Sequence, residues 1–136
     1  MTSPLLSLRA AIRAACLGDL ALAGLMDGEA RLLDEPPRNA PPLYGVFGNA
    51  ALRDWSTATD RGHEQDVAIV VWAKPGSAAT GLRVAERISD LLDDAPLVLT
   101  GHRLVRLAVT GIDVERDRDS NLARVTLRLR AVTEVV

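Results

Sequence analysis

The chain is poor in the residues that small catalytic and metal-binding domains depend on. Its 136 residues include one cysteine, Cys16, and two histidines, His63 and His102. A single thiol excludes an intramolecular disulfide, and one cysteine with two histidines is too few for a zinc site of familiar spacing. Any metal would have to be held by carboxylates. An excess of one charge is lacking as well. Sixteen basic and eighteen acidic residues give a formal charge of −2, with six basic against nine acidic residues in 1–68 and ten against nine in 69–136. Neither half reads as a basic tail, which argues against general nucleic-acid binding. Long apolar runs are also missing. Arg9 and Arg13 interrupt the alanines and leucines of the N-terminus, so neither a spanning helix nor a secretory leader is expected, and the expected compartment is the cytoplasm.

Aromatics are scarce: Tyr44, Phe47, Trp55 and Trp72 stand alone among alanine, leucine and valine. Lysine is nearly absent, and arginine outnumbers it fifteen to one. The planar guanidinium suits carboxylates and interface stacking, while a GC-rich coding sequence gives the same bias with no functional cause. What is present, 48% hydrophobic and 25% charged residues, is the composition of an ordinary globular chain. At this length roughly two-thirds of the unfolded surface can be buried, so one domain over 1–136 is expected without staples.

Ser3 before Pro4 reads as an N-cap followed by a favoured first helical residue, and Leu5, Leu8, Ile12 and Ala15 then recur at spacings of three and four. Gly18-Asp19 breaks or recaps this helix, and residues 20–26 form a second short one closed near Gly28. Residues 33–42 hold four prolines and are expected to be irregular. Residues 43–53 suit a strand whose glycines suggest a bulge or a close neighbour. The polar stretch 54–63 reads as a long hairpin loop. Residues 67–73 are apolar on both faces, so something must cover the second face, and in a chain this small that cover could be another subunit.

Lys74-Pro75-Gly76 is a turn and Ser77 a candidate N-cap. Leu82, Ala85, Ile88, Leu91 and Leu92 form an apolar stripe, with Arg83, Glu86, Arg87, Asp90 and Asp93 on the solvent side. Pro96 stops the helix, and residues 97–99 suggest a short strand. From Arg103 the apolar positions are odd (Val105, Leu107, Val109) but become even past Gly111 (Ile112, Val114), which predicts a bulge at Gly111. The last strand alternates Ala123, Val125, Leu127 and Leu129 inward with Arg124, Thr126, Arg128 and Arg130 outward. The expected register pairs Ile112 with Val125, Val114 with Ala123, and Asp113 with Arg124. The fold class is α+β: an antiparallel or mixed sheet of four to five strands, two main helices packed on it, and a long C-terminal β-hairpin.

Motifs for chemistry are weak. Gly76 to Gly81 has the glycine spacing of a phosphate-binding loop, but Leu82-Arg83 stands where Lys and Ser/Thr are needed. No Gly-x-Ser-x-Gly elbow occurs. His63 beside Glu64 could form an acid/base pair, although a loop histidine is ordinarily just solvated, and neither histidine is assigned a catalytic role. Cys16 reads as a small buried residue. The alternating Asp113, Glu115, Asp117 and Asp119 lack the spacing and glycine of a calcium loop. No metal or cofactor is expected. Trp55, in an Asp/Ser/Thr-rich loop, either folds back over the core or anchors a partner.

The segment Arg53-Asp54-Trp55-Ser56-Thr57, then Arg61-Gly62 and a strand ending in Val71-Trp72, resembles the tail terminator family of long-tailed phages. So do Gly101-His102-Arg103-Leu104-Val105 and the closing run from Leu127 through Glu134. The resemblance covers nearly the whole chain and is strongest to the members found in gene transfer agents, phage-derived particles that carry host DNA. It implies a structural protein with no catalysis. Six copies would form a ring on the head-proximal end of the tail tube, stop its polymerisation, and meet the head completion (stopper) protein, with DNA passing through the lumen without sequence-specific binding. It implies assembly in the host cytoplasm, then residence at the head–tail junction, with no membrane partner. A rotational ring needs two different complementary patches on each subunit. The residues expected at partner or subunit contacts are Trp55, Arg61, Arg128 and Arg130. The rival readings are another tube or connector subunit of the same particle, and a small enzyme or ligand-binding domain using His63, Glu64 and His102.

Overall fold

A computed structural model describes residues 3–39 and 42–136. Three helices lie against one face of a five-stranded mixed sheet. Helix α1 (Pro4–Leu17) starts as its sequence requires: the Ser3 hydroxyl accepts from the Leu6 amide at 3.2 Å and Pro4 occupies the first turn. Gly18 caps its end, and Asp19 then caps α2 (Leu20–Leu25) by accepting from the Leu22 amide at 2.8 Å. Gly28, at φ +103°, closes α2 with its amide on the Ala23 carbonyl. The proline-rich stretch is irregular except at its start. There Leu33 joins Leu32 in a two-residue strand, β1 (Leu32–Leu33), parallel to the next strand. Residues 40 and 41 of that stretch lie outside the described residues.

Strands β2 (Tyr44–Asp54) and β3 (Gly62–Ala73) form the expected hairpin, with a register shift between Phe47 and Ala50 where glycine and asparagine loosen the ladder. The pairing runs further than its composition suggested. His63 is not in the loop but on β3, opposite Asp54, leaving 55–61 as the connection. Of the polar side chains at 63–66, Glu64 and Asp66 are paired with Arg53, and Gln65 donates to Thr133.

Helix α3 (Ala78–Leu92) buries Gly81, Val84, Ala85, Ile88 and Leu92 against β3, β4 and β5. It approaches closely at Gly81, where a Cβ would sit 3.2 Å from Ala73 Cβ and 3.3 Å from Val125 Cγ2. Ser77 stands at the N-cap position, but its side chain makes no capping bond. Arg87, expected in solvent, instead makes a two-pronged ion pair with Asp19, both nitrogen–oxygen distances being 2.8 Å. The residue that caps α2 therefore also ties α2 to α3. Residues 97–99 form no strand. After α3 the chain turns over the sheet edge, where the Asp94 amide donates to the Leu107 carbonyl.

Strands β4 (His102–Arg116) and β5 (Ala123–Val135) form the long C-terminal hairpin, and the sheet order is β1-β2-β3-β5-β4. The bulge expected at Gly111 is present as a register shift between Val109 and Gly111. A second shift, between Leu104 and Arg106, puts Val105 out of phase with Leu107, so Val105 is exposed while Leu107 is buried. The hairpin register also differs from expectation by two residues: Ile112 pairs with Leu127 and Val114 with Val125. The turn's own bonds place the connection at 117–122 rather than one residue earlier: the Asp117 amide donates to the Leu122 carbonyl at 2.9 Å, its carboxylate accepts from Ser120, and Asn121 takes φ +61°. A two-residue slip keeps every side chain on its expected face. The core cluster sits between the layers, with Leu8, Ile12 and Cys16 of α1 and Ile88 of α3 over Ile69, Val71, Val125, Leu127 and Leu129.

Candidate functional site

Among the described residues, no second layer covers the sheet face opposite the helices. The even-numbered residues of β3 and β5 point there because the odd ones face the helices. One half of this face is apolar. Ala68 is buried and Val70 half-buried; Val70 Cγ2 and Ala68 Cβ fill the space above Gly48 that a side chain would need. The Arg124 guanidinium lies over the Trp72 ring, 5.9 Å from its centroid. Thus the second face of β3 is sheltered in part by its own neighbours.

The other half is charged and internally compensated. Arg53 pairs with Glu64 at 2.6 Å and Asp66 at 2.8 Å, Arg130 with Asp66 at 3.3 Å, and Arg128 with Asp113 at 3.0 Å. Arg124 pairs with Glu115 and Arg103 with Glu134. The expected partner of Asp113 was Arg124; in the observed register Asp113 lies opposite Thr126 and its carboxylate pairs diagonally with Arg128. The hydrogen bond from Arg53 holds the Asp66 carboxyl below its ordinary range, and Arg130 adds to the effect. These are exposed cross-strand pairs, each of small energy, but together they fix the orientation of the arginine row. Arg128 and Arg130 flank a shallow groove with Asn49, Asp66, Ala68 and Thr110.

Trp55 and Arg61 lie at another place, the loop at the end of the β2–β3 hairpin. The loop is built by local bonds. The Trp55 amide donates to the Gly62 carbonyl at 2.9 Å, the Ser56 hydroxyl to Asp54 at 2.6 Å, and the Thr57 amide to the Asp60 carbonyl at 2.8 Å. The Ser56 hydrogen bond lowers the Asp54 pKa. Trp55 does not fold back over the core; it is 57% exposed on this loop. Arg61 is exposed on the same loop, its carbonyl accepting from the Val135 amide. The four residues expected at contacts therefore form two patches, one at the hairpin end and one on the open sheet face.

The acid/base alternative finds no shared geometry. His63 and Glu64 are consecutive on a strand and point to opposite faces, and Glu64 is held by Arg53. His102 is buried on β4, separated from β3 by β5. Burial pushes the Cys16 thiol up to about 12, the reverse of what a nucleophile needs. Among the described residues no group of three or more His, Cys, Asp or Glu could hold a metal ion, and no helix is long and apolar enough to cross a membrane.

Sequence reasoning overlooked two exposed features. On α1, Leu6 and Leu17 project outward although they sit in a helix selected for its buried stripe, and past α3 Val98 is 91% exposed. The signal for the first was available: Leu6, Ala10, Arg13 and Leu17 recur at helical spacing on a second face.

Helices on one face of a five-stranded sheet, with an unroofed and charge-paired other face, define a small two-layer α+β subunit rather than a particular chemistry. The chain belongs to the tail completion protein gp17 family, whose family model matches residues 10–134. Among solved structures it is similar to a chain of the virion of a native gene transfer agent particle, with a TM-score of 0.87 and 30% identity over 98% of this chain and 99% of that one. It shares its fold with the gp17 protein of bacteriophage SPP1, with a TM-score of 0.53 and 15% identity over 92% of this chain and 87% of that one. No curated protein sequence matches the chain.

Proposed function

We propose that this protein is the tail terminator of a phage-like particle of the gene transfer agent kind. Six copies form a ring on the head-proximal end of the tail tube, stop its polymerisation and join it to the head completion protein, with DNA passing through the ring. The observation that carries this reading is the likeness to a virion chain of a gene transfer agent over almost the full length of both chains. Membership of a tail completion family supports it, and that family's structural role makes catalysis unnecessary to the reading.

Two features of the fold suit such a ring. Separate patches at the hairpin end (Trp55, Arg61) and on the open sheet face (Arg128, Arg130) let one subunit meet more than one neighbour in the particle. The arginines of the sheet face are already paired with carboxylates, so they present little unbalanced positive charge to a passing phosphate backbone. Assembly takes place in the host cytoplasm and ends at the head–tail junction. Particles produced without this protein should carry tails of uncontrolled length or tails unattached to heads. Normal tails joined to heads in its absence would refute the proposal.

A further inference from the structure

Helix α1 has no acidic residue, and its outward stripe is Leu6, Ala10, Arg13 and Leu17. Leu6 is 65% exposed, and with Arg9, Arg13 and Leu17 it lines a shallow depression that ends at Asp34. Arg9 lies over the Phe47 ring of β2, and Arg13 reaches Asp34, just past β1, at 4.0 Å. This apolar and basic surface therefore lies on the β1–β2 side of the sheet.

An acidic and apolar surface lies on the opposite side. The segment leaving α3 is fastened to the outer edge of β4, with Asp93 accepting from the Val109 amide at 3.0 Å and the Asp94 amide donating to the Leu107 carbonyl at 2.8 Å. Asp90, Asp93 and Asp94 are exposed there, and Val98 and Val105 are exposed beside them. Helix α1 meets the segment after α3 through its inner face, where the buried Ser7 hydroxyl donates to the Thr100 carbonyl at 2.8 Å. The exposed stripe of α1, turned to the β1–β2 side, and the exposed shoulder at the β4 edge are left without cover, and a rotated second copy can bring one against the other, which is the heterologous contact a closed ring repeats.

We propose that the occupant of the α1 stripe is a second copy of this chain: Leu6, Arg13 and Leu17 of one subunit dock on the Asp90, Asp94 and Val98 shoulder of the next. This rests on the ring reading above and names its subunit contact. The test is the solution mass, by light scattering in the presence and absence of tail tubes, of the wild-type chain and of Leu6→Glu, Arg13→Glu, Asp90→Arg and the double variant Arg13→Glu/Asp90→Arg. All three positions are exposed, and a glutamate in the first turn favours a helix, so unchanged thermal unfolding serves as the control for folding. The expected result is that each single variant weakens assembly by at least about tenfold, while the double variant, with both surfaces reversed, recovers it. Single variants that assemble like the wild type would overturn this contact and leave the ring standing. Disrupted singles without recovery in the double would overturn the pairing of these two surfaces. A wild-type chain that stays at 14.6 kDa even with tubes would overturn the ring and the contact together.

Discussion

Gln65 is a buried amide between the start of α1 and the sheet, and its role can be measured. Its side chain is fully buried. Nε2 donates to Thr133 Oγ1 at 3.1 Å and to the Pro4 carbonyl at 3.3 Å, linking α1 to β3 and β5. Oε1 accepts no hydrogen bond among the described residues. Thr133→Val keeps shape and removes the hydroxyl, leaving one amide proton without a partner, and should cost about 1–3 kcal/mol. Gln65→Met removes the donor and strands the Thr133 hydroxyl, but it also removes the unsatisfied Oε1, so its cost should fall near the lower end, about 1 kcal/mol. In the double variant neither orphan exists, and the loss should be smaller than the sum of the singles by about 1 kcal/mol or more. Urea unfolding of the four proteins at neutral pH, with the slope checked for constancy, measures this coupling. Additivity within ~0.3 kcal/mol would show that the two side chains are energetically independent and would refute the reasoning.

Two further outcomes follow from the packing and electrostatics. Leu127→Ala, at a fully buried position beneath the helices, should lower stability by about 2–5 kcal/mol in the same assay, the range for a cavity in a close-packed core. Asp19 is held down to about 2 by its hydrogen bond from Arg87, with the Leu22 amide contributing, while burial opposes them. Its folded-state pKa lies below the unfolded value, so its stabilisation is full above about pH 4 and is lost as the pH falls towards about 2. Asp19→Asn should therefore flatten the acid limb of the stability profile over that window, measured by thermal unfolding from pH 6 to pH 2.

The sequence was legible where one local rule decided the outcome. Ser3-Pro4 set the start of α1, Gly28 the end of α2, and the strict alternation from Ala123 to Arg130 the two faces of β5. The phase change at Gly111 disclosed a bulge because glycine and a switch of parity coincided; at Val105 the same event occurs without a glycine and leaves no composition signal. Hairpin register was misjudged by two residues because alternation is blind to even slips, and only the turn's own hydrogen bonds distinguish them. Arg87 looked like a solvated residue because its partner, Asp19, lies 68 positions away. Such long-range pairs have no local trace. Of the candidate site, the outward arginines of β5 could be read from alternation, whereas polarity left Trp55 open between folding back over the core and projecting outward. Their separation into two patches, and the opposed α1 and α3 shoulders, depend on the strand order β1-β2-β3-β5-β4, which no local pattern encodes.

The central claim, a six-copy ring at the head-proximal end of the tail, is tested most directly by electron microscopy of particles carrying a tag on this chain. The account predicts a single six-fold ring of tag density between tube and head, with a mass of about 88 kDa for six chains of 14.6 kDa. Tag density repeated along the tube, or confined within the head, would contradict it.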